Sequence, residues 1–259
     1  MIHKHRNGIH WLEFELLADF PIIHGCLMRH GGCSSQPLNS LNLGKNVGDK
    51  IENVDNNRLK VMQALGLEQM IPAKIGNGAN LFAISPLDQE EMPVCDGVMT
   101  NFPGLGLIIT QADCQGAIFY DPIHHAMANV HCGWRGSVMN IYEKTVAYMQ
   151  SKYGSKPAEM LVCISPSLGP ENAEFVNYRQ ELPEDFWSYQ IRPHYFDFWA
   201  ISESQLKKAG ILSHHIQCAR IDTYANAEDF FSHRRSKLSG RQATVCALLE
   251  PLDSSEKFR

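Results

Sequence analysis

The chain has 259 residues, of which 44% are hydrophobic and 20% charged, and its net charge is −5 with the histidines neutral. This is the composition of an ordinary globular protein that can bury its own core. The mild acidity and the lack of a long basic run argue against a nucleic-acid-binding surface. No window approaches the ~18 apolar residues of a membrane span, and the first residues do not resemble a signal peptide, so we expect a cytoplasmic protein.

The spacing of the cysteines indicates whether disulfides are expected, and the distribution of turn residues indicates the number of domains. The eight cysteines form no Cys-x-x-Cys pair and no regular spacing, which favours reduced thiols over a disulfide framework. Glycine and proline are spread evenly, and no low-complexity linker or internal repeat divides the chain. We therefore expect one domain over residues 1–259, with residues 1–19 as an N-terminal lead-in and residues 252–259 as a polar tail.

Strand-like and helix-like segments alternate along the chain. Short apolar runs bounded by turn residues predict buried strands, and apolar residues at helical spacing predict helices. The predicted strands are 21–28, 105–110, 116–120, 126–131, 160–164 and 242–249, and the predicted helices are 53–65, 137–152 and 197–209. Because residues 121–125 read as a hairpin turn between two strands, antiparallel pairing is also expected, and the fold class is mixed α/β.

Two reactive side chains stand at the ends of neighbouring predicted strands. Cys114 comes just before the strand 116–120, and His131 ends the strand 126–131. If these strands form a hairpin, the thiol and the imidazole meet although they are distant in sequence. A thiolate beside an imidazole supports either a shared metal ion or a Cys–His nucleophilic pair. A packed thiol and a backbone-bonded imidazole are the ordinary alternatives, and the pattern alone does not decide between them.

Two further segments could bind an anion. Glycines at 133 and 136 permit a tight strand-to-helix turn around Trp134 and Arg135, and a helix start there would direct backbone N–H groups at an anion. The segment Phe-Phe-Ser-His-Arg-Arg at 230–235 is either a solvated basic loop or a place where an arginine binds an anionic substrate group.

Six ordered segments resemble the laccase-domain family, whose members are also described as polyphenol-oxidase-like or purine nucleoside phosphorylase-like proteins. The match runs from about residue 20 to residue 249. The segments are Arg-His-Gly-Gly-Cys-Ser at 29–34, Leu-Asn-Leu-Gly at 41–44, Cys-Asp-Gly-Val-Met-Thr at 95–100, Ala-Asp-Cys at 112–114, His-Cys-Gly-Trp-Arg-Gly at 131–136 and Phe-Phe-Ser-His-Arg-Arg at 230–235.

The resemblance implies a single four-layer α/β/β/α domain with mixed sheets. It implies a metal site, with zinc or copper held by one cysteine and two histidines, of which Cys114 and His131 carry over to this chain. It also implies phosphorolysis of purine nucleosides and deamination of adenosine, so that a purine nucleoside and phosphate are the expected small-molecule partners. Cys114 and His131 are accordingly the first candidates for catalytic residues.

The third metal ligand of that family is missing. The family carries it in a Gln-Val-His-Gly segment, and the corresponding stretch 74–78 has Gly76 in place of the histidine. Loss of even a supporting residue around a metal typically weakens binding by ~10–100-fold. We therefore predict that zinc or copper is weakly bound or absent in this member.

Four other residues are candidates for the site. Arg29, Arg135 and Arg235 are predicted to bind the substrate or its phosphate, and Arg135 is also grouped with the catalytic residues. Asp113 is a further catalytic candidate, which either orients His131 or caps a turn.

Three functions stay open on this basis. The first is an enzyme of the purine nucleoside phosphorylase and adenosine deaminase type, impaired to the extent that Gly76 removes a ligand. The second is a metal-independent hydrolase or deamidase in which Cys114 is the nucleophile and His131 its base. The third is a non-catalytic relative that binds a ligand or partner, for which Gly76 is the main support.

Overall fold

The structure is a computed structural model that describes residues 1–86 and 92–250. The polar tail predicted at 252–259 lies outside the described residues. None of the helices in the described ranges is long and apolar enough to cross a membrane.

Fourteen strands and six α-helices make up the described part of the fold. The strands are β1 (Ile2–Arg6), β2 (Ile9–Glu13), β3 (Ile22–Leu27), β4 (Gln69–Pro72), β5 (Leu81–Ala83), β6 (Gly97–Thr100), β7 (Leu105–Gln111), β8 (Gln115–Asp121), β9 (Ala126–Cys132), β10 (Leu161–Ile164), β11 (Gln190–Arg192), β12 (Tyr195–Phe196), β13 (Ile216–Cys218) and β14 (Gln242–Leu248). The helices are α1 (Ile51–Leu65), α2 (Trp134–Val138), α3 (Ile141–Tyr153), α4 (Tyr178–Glu181), α5 (Glu184–Trp187) and α6 (Phe198–Lys208). Every strand and helix predicted from the sequence is present, with shifted ends.

The strands form two large mixed sheets and one small hairpin. The first sheet has the order β1-β2-β3-β14-β7-β4, and the second has the order β13-β10-β8-β9-β6-β5. Most neighbours are antiparallel, whereas β4 with β7, β5 with β6, and β10 with β13 are parallel. The small hairpin consists of β11 and β12. The predicted mixture of parallel and antiparallel pairing is confirmed.

The buried side chains fall into three layers, which define a four-layer α/β/β/α arrangement. Leu107 of the first sheet and Ile118 of the second belong to one cluster, so the sheets pack face to face. Val61 of α1 packs in a cluster on the outer face of the first sheet. Val146 of α3 and Leu206 of α6 pack in a cluster on the outer face of the second sheet. Because the central strands are covered on both faces, they read as continuous apolar runs.

The N-terminal lead-in expected at 1–19 contains two strands of the first sheet instead. β1 pairs with β2, and β2 pairs with β3. The turn between the first two strands has φ of 52° at Asn7 and 79° at Gly8, and an Asn-Gly pair with positive φ at both residues is the preferred two-residue hairpin turn. β1 escaped prediction because it is an edge strand with mainly exposed polar side chains.

The helix predicted at 137–152 is two helices. α2 ends at Val138, and Asn140 adopts left-handed φ of 49° before α3 begins. The Asn140 side chain accepts a hydrogen bond from the N–H of Glu143 and so caps α3. The break lets α2 begin directly after β9, and this position brings its first residues to the site described next.

Candidate functional site

The β8–β9 hairpin places the two reactive side chains at one end of the second sheet. Gln115 pairs with Cys132, and Gly116 pairs with His131, in antiparallel register. The residue before β8 therefore lies beside the end of β9. As the hairpin predicts, the structure brings Cys114 next to His131.

Gly133 shows how closely the thiol and the imidazole approach. A Cβ atom at Gly133 would lie 3.1 Å from Sγ of Cys114 and 3.6 Å from Cε1 of His131. Both side chains thus converge on the space that a side chain at position 133 would occupy. The glycine at the strand-to-helix turn is needed here because the thiol uses that space.

Asp96 holds the imidazole from its other side. Its fully buried Oδ1 atom is 3.5 Å from Nδ1 of His131, and its Oδ2 atom accepts the N–H of Gly78 at 2.9 Å. In the described residues, that Oδ1 and that Nδ1 have no partner at normal hydrogen-bond geometry, so each faces only the other. A carboxylate on one ring nitrogen fixes the ring orientation, and the same ring also contacts Cys114. We call Asp96, His131 and Cys114 the triad.

His131 lies between Cys114 and Asp96, and both neighbours affect the pKa of its imidazole. Burial by itself lowers the pKa of His131, but the contacts with Cys114 and Asp96 outweigh burial and raise that pKa to about 9. Burial by itself raises the pKa of Asp96, whereas its contacts with His131 and with the N–H of Gly78 hold that pKa below its usual value. The two neighbouring groups therefore favour a proton on the buried imidazole of His131.

Asp113 contacts two loops and not the imidazole. Its carboxylate accepts the hydroxyl of Thr223 at 2.8 Å and the N–H of Arg234 at 2.6 Å, and its carbonyl accepts the N–H of Leu168 at 2.8 Å. Both carboxylate contacts are with residues far away in the sequence, so Asp113 joins two distant loops and neither orients the imidazole nor caps its own turn through them. The orienting role at the imidazole belongs to Asp96.

A cavity of about 270 Å³ opens over Cys114. One side is aromatic: Trp134, Phe175 and Phe198 line it, with ring centres 5.1 Å apart for the two phenylalanines and 6.2 Å apart for Trp134 and Phe175. We call these three side chains the aromatic wall. Flat apolar ring faces of this kind suit a planar base.

Another part of the cavity lining is basic. It consists of His233, Arg234 and Lys237, which we call the basic wall. The Arg234 guanidinium lies 6.0 Å from the centre of the Phe175 ring and donates to the carbonyls of Asn172 and Glu174. Burial and the positive charges of Arg241 and Lys237 hold the pKa of His233 below its usual range. The positive field at this wall favours an anionic group of a ligand.

Arg29 and Arg235, which were predicted to bind phosphate, hold loops. Arg29 donates to the carbonyls of Asn39 and Ala227, while Arg235 donates to three carbonyls in the segment 223–230. Neither side chain lines the cavity. A guanidinium with five donors suits several carbonyls at once, and these contacts use the donors that an anion would need.

Arg135 lies at the edge of the cavity. Its side chain is exposed, and its guanidinium carbon stacks 4.2 Å from the centre of the Trp134 ring. Trp134 lines the cavity, so the guanidinium is one indole ring away from it. The stacking keeps the charge available to a ligand at the mouth of the cavity.

Comparison with known proteins gives the family. A family model described as multi-copper polyphenol oxidoreductase laccase matches residues 23–249. The chain belongs to this laccase family. The resemblance found in the sequence is thereby confirmed.

Relatives of known name and structure share nearly the whole chain. A protein named purine nucleoside phosphorylase from Bacteroides thetaiotaomicron is 31% identical, with 89% of this chain and 93% of that protein covered. Purine nucleoside phosphorylase YlmD from Geobacillus stearothermophilus is 29% identical, with coverage of 88% and 90%. The crystal structure of YlmD from Geobacillus stearothermophilus superposes with a TM-score of 0.86 at 26% identity, covering 95% of this chain and 98% of that one. The expected fold class is confirmed.

The metal site that membership of the laccase family implies is incomplete in this chain. A Cβ atom at Gly76 would lie 3.6 Å from Oδ2 of Asp96 and 2.8 Å from Cγ1 of Val94, so position 76 adjoins the triad but carries no donor. Across residues 1–86 and 92–250, no three His, Cys, Asp or Glu side chains are arranged to hold a metal ion. The donors present do not fit a three-ligand zinc or copper site.

Sequence reasoning missed Asp96 and both walls of the cavity. Asp96 stands in one of the segments that resemble the laccase family, and a lone Asp before a buried strand was its only other signal. Lys237 and Phe175 carry no local pattern that distinguishes them from other loop residues. Their place in the site comes from the folding of loops over the hairpin end.

Proposed function

We propose that this chain phosphorolyses purine nucleosides in the cavity above Cys114. The observation that carries the proposal is the triad, which opens into a cavity lined by both the aromatic wall and the basic wall. The names of the relatives from Bacteroides thetaiotaomicron and Geobacillus stearothermophilus support the same reaction class. A purine nucleoside and phosphate are the substrates.

The aromatic wall binds the base. Phe175 and Phe198 are tilted by 36° to each other, and Trp134 stands at 74° to Phe175, so the three rings form a curved apolar surface. Stacking of a base on an aromatic ring is worth ~1–3 kcal/mol and tolerates different bases. The wall therefore selects a planar heterocycle more than one particular purine.

The basic wall binds phosphate. Lys237 lines the cavity, and Arg234 adds a positive charge to the lining while it donates to the carbonyls of Asn172 and Glu174. Positioned cations offset the negative charge of the attacking phosphate and fix its direction of approach. The ribose then lies between the walls, within reach of Cys114 at the end of β8.

The triad supplies and recovers one proton. A phosphate oxygen forms a bond to C1′ of the ribose while the bond from C1′ to the purine nitrogen breaks and leaves its electron pair on the base. The proton shared by His131 and Cys114 moves to the departing base, and the proton of hydrogen phosphate then restores the pair. Asp96 keeps the imidazole oriented throughout.

No step of this proposal passes through a metal ion, because the side chains present supply only two of the implied donors. We propose that zinc is weakly held, that phosphorolysis proceeds without it, and that deamination of adenosine is at most a lesser activity. Elemental analysis of the purified protein tests the first point. Stoichiometric zinc that survives dialysis against a chelator would contradict it.

A nucleoside assay tests the function. The purified protein is incubated with adenosine or inosine, with and without phosphate and with and without added zinc, and the products are separated by chromatography. We expect adenine or hypoxanthine together with ribose 1-phosphate, formed only when phosphate is present. Inosine from adenosine would reveal deamination instead. Absence of adenine, hypoxanthine and ribose 1-phosphate overturns the proposal.

A cysteine hydrolase or deamidase is the second candidate, and one observation favours it. The order Asp96, His131, Cys114 is the order of an orienting acid, a base and a nucleophile. In that case Cys114 would react rapidly with iodoacetamide at neutral pH while nucleosides stay unchanged. An unreactive Cys114 together with a silent nucleoside assay would favour a non-catalytic relative.

A further inference from the structure

A second group of metal-binding side chains lies on the β1–β2 hairpin, at the edge of the first sheet. His3 and His5 are two residues apart on β1, so both point to one face, and His10 of β2 is the cross-strand partner of His5. His30, which follows β3, packs edge-on against His10 with ring centres 5.5 Å apart. We call these four side chains the histidine face.

Two ring nitrogens of the histidine face are spaced like two ligands of one metal ion. Nδ1 of His10 is 3.4 Å from Nε2 of His3. Zinc binds imidazole nitrogens at ~2.0–2.1 Å with tetrahedral angles, which places two ligand nitrogens about 3.3–3.4 Å apart. The ring centre of the exposed His5 side chain is 5.7 Å from that of His10, so a side-chain rotation brings a third nitrogen to the same ion.

The surroundings of the histidine face favour a cation. Nε2 of His30 lies 2.9 Å from Oδ1 of Asp229, which is the carboxylate contact that ligand histidines usually make with their second nitrogen. Glu228 and Asp229 line the same surface depression, of about 680 Å³, as His3, His10 and His30. Their negative charge offsets that of a bound ion.

We propose that the histidine face binds one divalent late transition-metal ion, such as Zn²⁺ or Cu²⁺, through His3 and His10 with His5 or His30 as the third ligand. Imidazole nitrogen is a preferred donor for these ions. Since no three donors in the described ranges already surround one point, the third ligand turns inward as the ion binds. The site uses no residue of the triad or the cavity, so a test of metal binding there does not depend on whether the proposed phosphorolysis is correct.

A zinc titration tests the site. It is run on the Cys114→Ser variant, so that no thiolate of the triad contributes. The test variant adds His3→Asn and His10→Asn to this background. The matched control adds His214→Asn and His215→Asn instead, which removes another adjacent pair of histidines, with ring centres 4.4 Å apart. We expect one equivalent of Zn²⁺ to bind the background and the control alike, and at least ~10–100-fold more weakly to the H3N/H10N variant. Equal binding by all three proteins overturns the proposal.

Two further measurements separate the ligands and guard against misfolding. In the intact chain, the ring NMR signals of His3 and His10 are expected to shift on addition of one equivalent of Zn²⁺, while those of His214 and His215 stay in place. Single His5→Asn and His30→Asn variants show which ring is the third ligand, because only its loss weakens binding. Ring signals of His3 and His10 that do not respond to Zn²⁺ contradict the site without any variant, and nucleoside phosphorolysis is expected to be the same in H3N/H10N as in the unaltered chain.

Discussion

The triad and the basic wall share one cavity but are built in different ways. Cys114 and His131 stand at the ends of paired strands, where the register of β8 and β9 fixes their separation. The basic wall stands on the loop 233–237, and its three side chains are exposed. Strand pairing makes the first arrangement rigid, whereas loops carry the adaptable contacts of binding sites. Substitutions in the triad should therefore affect the chemical step, and substitutions in the basic wall should affect phosphate binding.

The largest effect is expected from removing the thiol of the triad. Cys114→Ser should lower the rate of base release by about 10²–10⁴-fold, because a positioned proton-transfer group contributes a factor of that size. Cys33→Ser is the matched control, since Cys33 is also outside the core but contacts the Asn57 side chain away from the cavity. Initial rates at saturating phosphate measure the difference. A Cys114→Ser protein as fast as the control would place the reaction elsewhere.

Lys237 and Arg235 lie on nearby positions of one loop, but we predict phosphate binding for the first and loop stabilisation for the second. Lys237→Met should raise the KM for phosphate by about tenfold or more, because a hydrogen bond to a charged group is worth ~1.5–3 kcal/mol and 1.4 kcal/mol is about a factor of ten. Arg235→Gln should leave that KM unchanged and lower the free energy of unfolding by ~1–3 kcal/mol, because it leaves loop carbonyls without donors. Phosphate titrations and chemical denaturation check the two outcomes, and an exchange of the two effects would contradict the assignment of the basic wall.

A histidine at position 76 should convert the triad into a better metal site. The side chain needs room that Val94 occupies, so the variant is Gly76→His with Val94→Ala, and Val94→Ala alone is the control. We expect zinc affinity to rise by ~10–100-fold or more over the control, since a missing ligand costs at least what a missing supporting residue costs. Zinc binding measured by competition with a chromophoric chelator reports the change. Unchanged affinity would show that position 76 does not face the metal position.

The smallest effect concerns a buried histidine of the first sheet, His24. His24 accepts the N–H of Phe14 at 2.9 Å, and burial holds its pKa below the ordinary value of 6.5. Because the unfolded chain then binds more protons than the folded chain, His24 should weaken the fold as the pH falls below about 6.5. His24→Gln keeps an acceptor without titrating and should flatten the dependence of thermal stability on pH between about 7 and 5. An unchanged pH profile would mean that His24 protonates freely in the folded state.

The central strands, and the side chains that their pairing brings together, could be predicted from the sequence. The apolar runs located β7, β8, β9 and β14, and the hairpin between β8 and β9 was enough to bring Cys114 and His131 together. β1 was missed because a polar edge strand has no apolar run, although Asn7 and Gly8 carried a hairpin signal. The single-domain organisation, the cytoplasmic location and the lack of nucleic-acid binding stay predictions.

The sequence did not predict which cations face the ligand. Arg234 and Arg235 both donate to backbone carbonyls, but only Arg234 lines the cavity, and nothing in the sequence around them distinguishes the two. Asp113 was the only carboxylate predicted to orient His131, and Asp96 was missed, because its place beside the imidazole depends on β6 lying beside β9. Such choices are made by loop paths and by pairing between distant strands, which local patterns do not encode.

The carboxylate of Asp113 joins the segments around Thr223 and Arg234, and its own backbone continues directly into Cys114. Because one peptide unit joins Asp113 to Cys114, a displacement of the loop that carries Arg234 would move the backbone that positions the thiol.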